Sequence, residues 1–283
     1  MLNKEQTDFL LVNAYNAAIR AGARIIDIYT GDADFAVDIK SDHTPITIAD
    51  RDAHELIKKY LSQTRVPLLS EEGRDLLYEE RRNWDLFWMV DPLDGTKEFL
   101  KGNGEFTVNI ALMHNNEPYI GVIYVPYIHK IYFALKGAGC YLKTDVEPDH
   151  EALFDLPQIW SDTTRLPLCD KANEPIRIAV SRSHNTDETF EHIARIKAGH
   201  PAAEIVEQGS SFKFCLLAEP SKFTSARRTP TNGIRPPERS FSAKRAGSSN
   251  RSTGARDCNT TRSRCTIRIS YAAANISGNL PEF

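Results

Sequence analysis

The sequence of 283 residues contains no apolar run that approaches the roughly 20 residues needed to cross a bilayer. The first 20 residues also lack the basic-then-apolar order of a secretory signal. Cysteine is scarce: five residues and no Cys-x-x-Cys pair argue against a disulfide framework and against a zinc knuckle. We therefore expect a soluble protein of the cytoplasm, and peripheral attachment at the inner face of the cell membrane is left open.

The charges divide the chain into two unlike regions. The formal net charge is −3, but residues 220–283 hold 12 Lys and Arg against three acids, which leaves 23 against 35 for residues 1–219. From Pro220 onward Ser, Thr, Arg, Pro and Gly dominate, and apolar residues follow neither the helical nor the strand period. We predict a folded domain over 1–219 and a basic, disordered tail over 220–283.

Helical and strand patterns interleave through the first region. Apolar residues recur at helical spacing from Glu5 to Tyr29, and further helices are predicted over Ile48 to Leu61, Asp187 to Ile196 and Ser210 to Ala218. Compact apolar or alternating runs predict strands over Phe35 to Ile39, Val66 to Ser70, Leu86 to Val90, Phe106 to Met113, Tyr119 to Val125, Lys130 to Leu135 and Ile176 to Val180. This order predicts an α/β fold built in layers.

Two of the predicted strands are followed directly by carboxylates. Glu71 and Glu72 follow the first of them, and Asp91 and Asp94 follow the second. Strand ends gather side chains from distant sequence positions into one crevice, so we expect Glu71, Asp91 and Asp94 to converge. Oxygen donors of this kind suit Mg²⁺, and two or three such ions would suit the hydrolysis of a phosphate ester.

The run from Asp91 to Thr96 has a mechanical interpretation. Pro92 fixes its own φ and biases Asp91 toward an extended backbone, which would free the Leu93 carbonyl to turn toward metals. Gly95 permits close approach of an anion. A helix that starts beyond it would offer the N–H groups of Gly95 and Thr96 to a phosphate.

The Thr96 hydroxyl could orient an attacking water, with Asp50 as its partner. A lone Asp-x-x-Asp-Gly-Thr run is more often only a turn. Its combination with Ser70-Glu71-Glu72 about 20 residues earlier and with Ala49-Asp50 about 20 residues before that reverses the balance.

At these residues the chain resembles the inositol monophosphatase superfamily, and within it the bacterial CysQ-type 3′(2′),5′-bisphosphate nucleotidases. The resemblance covers residues 1–219. It is carried by Pro45-Ile46-Thr47 with Ala49-Asp50, Leu69 to Glu72, Val90 to Phe99, Asn103 to Leu112, Ser181 to His184, and Gly209 to Cys215. The Lys97-Glu98-Phe99 segment favours the nucleotidase branch over the inositol phosphatases.

The resemblance implies an α-β-α-β-α layered fold and hydrolysis of adenosine 3′,5′-bisphosphate to AMP, linked to sulfate assimilation. It assigns metal binding to Glu71, Asp91, Asp94 and the Leu93 carbonyl, with Glu71 also catalytic. Phosphate contact falls to Gly95 and Thr96, and water orientation to Asp50 with Thr96. Further substrate contacts are expected from the segment Ser181 to His184 and from Lys213, and Arg182 and Lys213 could meet a second phosphate.

Other functions stay open at this point. The same fold could act on inositol phosphates or other sugar phosphates. The chain could also be an inactive nucleotide-binding relic, or its basic tail could bind nucleic acid through salt-sensitive phosphate contacts. That tail has few aromatic residues for stacking and no recognisable module, so the expected partner is a small phosphorylated nucleotide rather than a specific nucleic acid. Homodimer formation is also left open.

The tail departs from the family pattern, in which a Trp-Asp-Thr-Ala-Ala-Gly run supplies another metal-ligating aspartate. Here no tryptophan follows Trp160. Codons that encode Thr231 to Glu238 can be chosen so that a shifted frame reads Glu-Trp-Asp-Thr-Ala-Ala-Gly, and we hypothesise a frameshift close to Glu219. The chain as printed would then lack a metal ligand and cover for its sheet, so we expect low activity and low stability. Resequencing of the gene tests this.

Overall fold

The computed structural model describes residues 2–31, 38–39, 45–74, 76–166, 175, 177–182 and 185–219. The helices are α1 (Lys4–Thr30), α2 (Ile48–Leu61), α3 (Tyr78–Arg81), α4 (Thr96–Lys101), α5 (Leu156–Trp160), α6 (Asp187–Gly199) and α7 (Phe212–Ala218). The strands are β1 (Asp38–Ile39), β2 (Pro45–Ile46), β3 (Leu68–Ser70), β4 (Leu86–Asp94), β5 (Thr107–His114), β6 (Glu117–Val125), β7 (Lys130–Leu135), β8 (Gly139–Lys143), β9 (Thr164–Leu166), β10 (Arg177–Ser181) and β11 (Glu204–Gln208). Short 3₁₀ helices lie at Ser62–Thr64 and Pro126–Ile128.

The main sheet contains seven strands in the order β3-β4-β5-β6-β7-β8-β9. β3 pairs with β4 in parallel, and the later neighbours in this sheet pair antiparallel. β10 and β11 form a separate parallel pair, and β1 and β2 form a short antiparallel one. Because β3 and β4 run in the same direction, the residues that follow Ser70 lie beside the end of β4, and the Glu71 N–H donates to the Val90 carbonyl at 3.0 Å.

Each face of the main sheet has its own hydrophobic core, because strand side chains alternate in direction. Trp88 and Val90 of β4 belong to the core shared with α1 and α2, whereas Met89 between them belongs to the opposite core. Cys215 and Ala218 of α7 pack into that second core. The sheet therefore lies between helical layers, which confirms the expected α/β architecture.

Glu219 ties the C-terminal end of α7 to strand β7. Its carboxylate accepts hydrogen bonds from Lys130 Nζ at 3.1 Å and from the Tyr132 hydroxyl, and the Glu219 side chain is only 3% exposed. Burial raises the pKa of Tyr132 well above its ordinary value, so its hydroxyl stays protonated and acts as the donor. α7 is thereby fixed at the last residue before the basic region.

The long periodic elements were predicted closely. α2 has the predicted bounds, α1 extends one residue further at each end, and the meander of β5, β6 and β7 is present. β4 continues to Asp94, so the carboxylates predicted to follow this strand lie within it. β3 begins at Leu68, after Pro67, and α7 begins only at Phe212 because Ser210 has a left-handed backbone with φ of 49°.

Some elements and predictions fall outside this agreement. β2, β8, β9, β11, α3 and α5 were not predicted. The predicted strand over Phe35 to Ile39 is described only at residues 38–39, and the predicted tail over 220–283 lies outside the described residues. In the part of the chain that the structure describes, no helix combines the length and the apolar character required to span a membrane.

Candidate metal centre and active site

The end of β4 carries a bulge that brings Asp91 and Asp94 together. Asp91 lies opposite Asn109 of β5, whereas Asp94 lies opposite Thr107, so β4 has one more residue than β5 between these two pairs. In a regular strand, residues three apart point to opposite faces. The extra residue reverses this alternation, so Asp91 and Asp94 point to the same face. The bulge already interrupts the ladder between them, so the missing N–H of Pro92 costs no further ladder hydrogen bond.

The negative charges of four other carboxylates act on the Asp91 carboxyl group. Asp91 is only 7% exposed, and burial raises its pKa well above the ordinary value of 3.8. The negative charges of Glu71, Asp94, Asp50 and Glu72 raise this pKa further. The charges of Glu71 and Asp94 thus act on the Asp91 carboxyl group, and the convergence of the three as ligands stays a prediction.

The donor atoms at this point fit a hard divalent cation. The candidate ligands are carboxylate and carbonyl oxygens, which Mg²⁺ prefers. The ion pairs found among the described residues do not include Asp91 or Asp94, so no basic side chain there neutralises the pair directly. A cation would remove the like-charge repulsion that burial has intensified.

The carboxylates are not yet arranged as a complete ligand set. Among the residues that the structure describes, no three His, Cys, Asp or Glu side chains are arranged to hold a metal ion. Glu71 is exposed on its turn, and Asp94 directs Oδ2 away toward Ser211, whose N–H donates to it at 2.6 Å. The assignment of metal ligands therefore stays a prediction.

Asp50 and Thr96 form the pair that the sequence predicted. Asp50 is the third residue of α2 and closes its capping box, where Oδ2 accepts from the Thr47 N–H at 2.8 Å and from the Thr47 hydroxyl at 2.6 Å. Its other oxygen accepts from the Thr96 hydroxyl at 3.0 Å. The Thr96 hydroxyl also lies 3.4 Å from the Leu93 carbonyl oxygen. This chain of hydrogen bonds fixes the position of Thr96 beside the carboxylates.

Gly95 connects β4 to α4 in a conformation that favours glycine. Its φ is 100°, and a β-carbon would lie 2.9 Å from the Glu105 carbonyl oxygen and 3.1 Å from the Ser210 β-carbon. The helix expected beyond Gly95 is present as α4. The close neighbour in the structure is protein backbone, and contact of Gly95 with a phosphate stays a prediction.

Arg182 is held by Glu105 rather than left open to an anion. Its Nε and Nη2 atoms donate to the Glu105 carboxylate at 2.7 and 2.6 Å, and the same carboxylate accepts from the Gly209 N–H at 2.8 Å. Donation of these hydrogen bonds to Glu105 raises the pKa of Arg182. Arg182 and Ser181 thus lie on the β10 side of a clamp that joins β10 to the loop before β5.

Lys213 lies close to the acidic cluster. Its Nζ donates to the Ser210 carbonyl at 2.7 Å, and burial lowers its pKa while the charges of Asp94 and Glu98 act in the opposite direction. This position agrees with a substrate contact at the cluster, which stays a prediction. Ser183 and His184, from the segment also expected to contact substrate, lie outside the described residues.

Several contacts at the site had no role in the sequence prediction. The Nδ1 atom of His54 lies 2.8 Å from the Ser70 hydroxyl and so supports the residue before Glu71. Asn109 and Ser211 both donate to Asp94. Asn109, Glu105 and Ser211 lie inside stretches that matched the family, which was the available signal, but neither spacing nor periodicity indicates their partners.

The profile of the inositol monophosphatase family matches residues 6–222. The chain belongs to this family. The 3′(2′),5′-bisphosphate nucleotidase CysQ of Salmonella typhimurium is 36% identical over 225 residues, which cover 79% of this chain and 82% of the relative. The protein of the same name from Escherichia coli is 38% identical over 217 residues, covering 76% and 79%. The crystal structure of CysQ from Bacteroides thetaiotaomicron, a bacterial member of the family, aligns with a TM-score of 0.67 and 46% identity, covering 75% and 77%.

In this family member, replacement of Gly95 should cost more stability than replacement of another glycine with positive φ. Gly137 has φ of 84°, and nothing lies within 4 Å of the point that a β-carbon would occupy, so Gly137→Ala should lose only the strain term of about 1–2 kcal/mol. Gly95→Ala adds the collision with the Glu105 carbonyl and should lose more. Urea denaturation of both variants measures this, and equal losses would show that the close approach is unimportant.

Replacement of Asp91 should stabilise the protein when divalent cations are removed. The raised folded-state pKa means that stability contributed by the protonated group is present below about pH 3.8 and is lost as pH rises through the folded pKa. In a chelator at neutral pH, Asp91→Asn should therefore melt at a higher temperature than the unchanged chain, and the difference should shrink as pH falls. Added Mg²⁺ should stabilise the unchanged chain but not Asp91→Asn.

The matched control for this experiment is Asp162→Asn, which removes one exposed carboxylate away from the cluster. Its melting temperature should respond to chelator and Mg²⁺ as the unchanged chain does. If Asp91→Asn melts lower than the unchanged chain in chelator, the description of Asp91 as an uncompensated buried charge is wrong.

Proposed function

We propose that this member of the inositol monophosphatase family is a Mg²⁺-dependent 3′(2′),5′-bisphosphate nucleotidase that hydrolyses adenosine 3′,5′-bisphosphate to AMP and phosphate, in sulfate assimilation. The observation that carries the proposal is the fixed Asp50–Thr96 hydrogen bond beside the buried Asp91 carboxyl group. The similarity to proteins named 3′(2′),5′-bisphosphate nucleotidase supports the choice of substrate.

The proposed metal ligands are the carboxylates of Glu71, Asp91 and Asp94 and the carbonyl of Leu93, for two or three ions. When bound, Mg²⁺ supplies neutralising charge to the phosphoryl oxygens and to the departing oxygen. The buried position of Asp91 makes this charge effective, because few waters screen it. The exposed turn of Glu71 leaves a side through which a phosphorylated substrate can enter.

The proposed task of Thr96 is to orient the attacking water. Its hydroxyl hydrogen points to Asp50, so the lone pairs on its oxygen are available to accept a hydrogen bond from water. As the water oxygen bonds to phosphorus and the phosphorus–ester oxygen bond breaks, one water proton passes to Thr96 while the Thr96 proton passes to Asp50. The departing ester oxygen takes a proton from solvent, and Asp50 then returns the proton it received to solvent, which restores the starting protonation of Asp50 and Thr96.

The second phosphate of the substrate requires a cation outside the metal cluster. Lys213 is the better placed candidate because its Nζ already lies among Asp94, Glu98 and the Ser210 carbonyl. Arg182 could contribute only by exchanging part of its contact with Glu105. Ser181, Gly95 and Thr96 complete the proposed substrate-binding set.

Phosphate release tests the proposed reaction directly. We expect Mg²⁺-dependent release from adenosine 3′,5′-bisphosphate at a higher kcat/KM than from inositol 1-phosphate. The rate of the printed chain should be low, and a version with residues after Glu219 read in the shifted frame should be faster. Preference for inositol phosphate would assign the chain to the other branch, and nucleotide binding without turnover in both versions would indicate a binding protein.

Removal of the Thr96 hydroxyl should slow the chemical step while leaving metal binding in place. Thr96→Val should lower kcat by roughly 10²-fold, the lower end of the range for a group that manages a proton in the transition state. Thr96→Ser should restore most of the rate. The matched control is Thr107→Val: Thr107 is fully buried and its hydroxyl has no partner among the described residues, so kcat should not change.

A further inference from the structure

One oxygen of Asp94 is surrounded by hydrogen-bond donors. The Ser211 N–H and the Ser211 hydroxyl donate to Oδ2 at 2.6 and 2.5 Å, and the Asn109 amide donates to the same oxygen at 3.2 Å. The Asn109 amide also donates to the Ser211 hydroxyl oxygen at 3.0 Å. Among the residues that the structure describes, no hydrogen bond reaches the other oxygen, Oδ1.

The donors come from two different parts of the fold. Asn109 lies on β5, directly opposite Asp91 in the strand register, and Ser211 immediately precedes α7. Both are buried, with Asn109 at 1% exposure. Hydrogen bonds from both β5 and the start of α7 leave the Asp94 side chain little freedom to rotate. The direction of its carboxylate therefore depends on how α7 packs on the sheet.

Asn109 is not arranged for stability alone. Its amide oxygen is buried without a hydrogen-bond partner in the described part of the chain. An unsatisfied buried acceptor costs free energy, which an apolar side chain of similar size would avoid. The placement makes sense if the amide serves to direct Asp94.

We propose that Ser211, together with Asn109, is a positioning residue for the metal site, which rests on the proposed function. By saturating Oδ2, the pair makes Oδ1 the oxygen that Asp94 presents to the cations beside Asp91. Hydrogen bonds to a ligating carboxylate fix its orientation and tune its affinity. Ser211 therefore acts through Asp94 and does not touch substrate.

The test is a calorimetric titration of the full chain with Mg²⁺ in the absence of substrate. Ser211→Ala removes one donor, keeps the backbone N–H, and should weaken Mg²⁺ binding by about 10-fold, as is typical for a partner behind a ligand. Ser211→Thr restores the hydroxyl and should recover the affinity. Asn109→Ala should weaken binding in the same direction.

Ser210→Ala is the matched control. The Ser210 hydroxyl accepts from the Phe212 N–H at 3.2 Å at the start of α7 and does not contact Asp94. Its loss should lower the melting temperature of the metal-free protein without changing Mg²⁺ affinity. Ser211→Ala should show the reverse, with lower Mg²⁺ affinity and little change in metal-free melting.

Three outcomes would overturn the inference: unchanged Mg²⁺ affinity in Ser211→Ala, an equal loss of affinity in Ser210→Ala, or no Mg²⁺ binding by the unchanged chain. The last would also remove the metal role of Asp94. Mg²⁺ binding without phosphate release from adenosine 3′,5′-bisphosphate would instead contradict only the proposed reaction. If Ser211→Thr fails to fold, the comparison of Mg²⁺ affinity between Ser211→Ala and Ser210→Ala still tests the inference.

Discussion

The repulsion around the Asp91 carboxyl group is the constraint on which the rest of the site depends. Burial and the negative charges of Glu71, Asp94, Asp50 and Glu72 make the charged form of Asp91 unfavourable. The fold has to hold these like charges near one another against their repulsion. Asp50 is held by the cap of α2, and the bulge in β4 fixes the spacing of Asp91 and Asp94. The structure thus spends local stability on gathering negative charge, which is useful only where a cation or a proton is to be bound.

The architecture delivers these groups from separate elements to one edge of the sheet. The parallel pairing of β3 with β4 brings the turn after Ser70 beside Asp91, while α2 packs over the same edge and supplies Asp50. α7 covers the opposite face and reaches Asp94 through Ser211. None of these elements carries a site alone, so the chemistry depends on the relative packing of a strand edge and two helices.

Sequence reasoning succeeded where the signal was local or periodic. The bounds of α2 were predicted from the preceding turn and the acids in its first turn, and the Asp50–Thr96 hydrogen bond followed from motifs that occur together in the family. It did not reach contacts between distant residues: Asp94 meets Ser211 across 117 positions and Glu105 meets Arg182 across 77. Such partners are selected by packing in three dimensions. For the same reason the Arg182 side chain, predicted to face a phosphate, is occupied by Glu105.

The hydrogen bonds that hold Asp94 also bear on the effect of the residues after Glu219. Glu219 is bound by Lys130 and Tyr132, so α7 is anchored at its end by contacts that lie wholly within residues 1–219. The Ser211 and Asn109 donors therefore do not require any group from the basic region. If the frameshift hypothesis is correct, the printed chain lacks one carboxylate ligand, while the hydrogen bonds from Ser211 and Asn109 still orient the Asp94 carboxylate. Its low activity would then arise from incomplete neutralisation of the phosphoryl charge rather than from collapse of the acidic cluster.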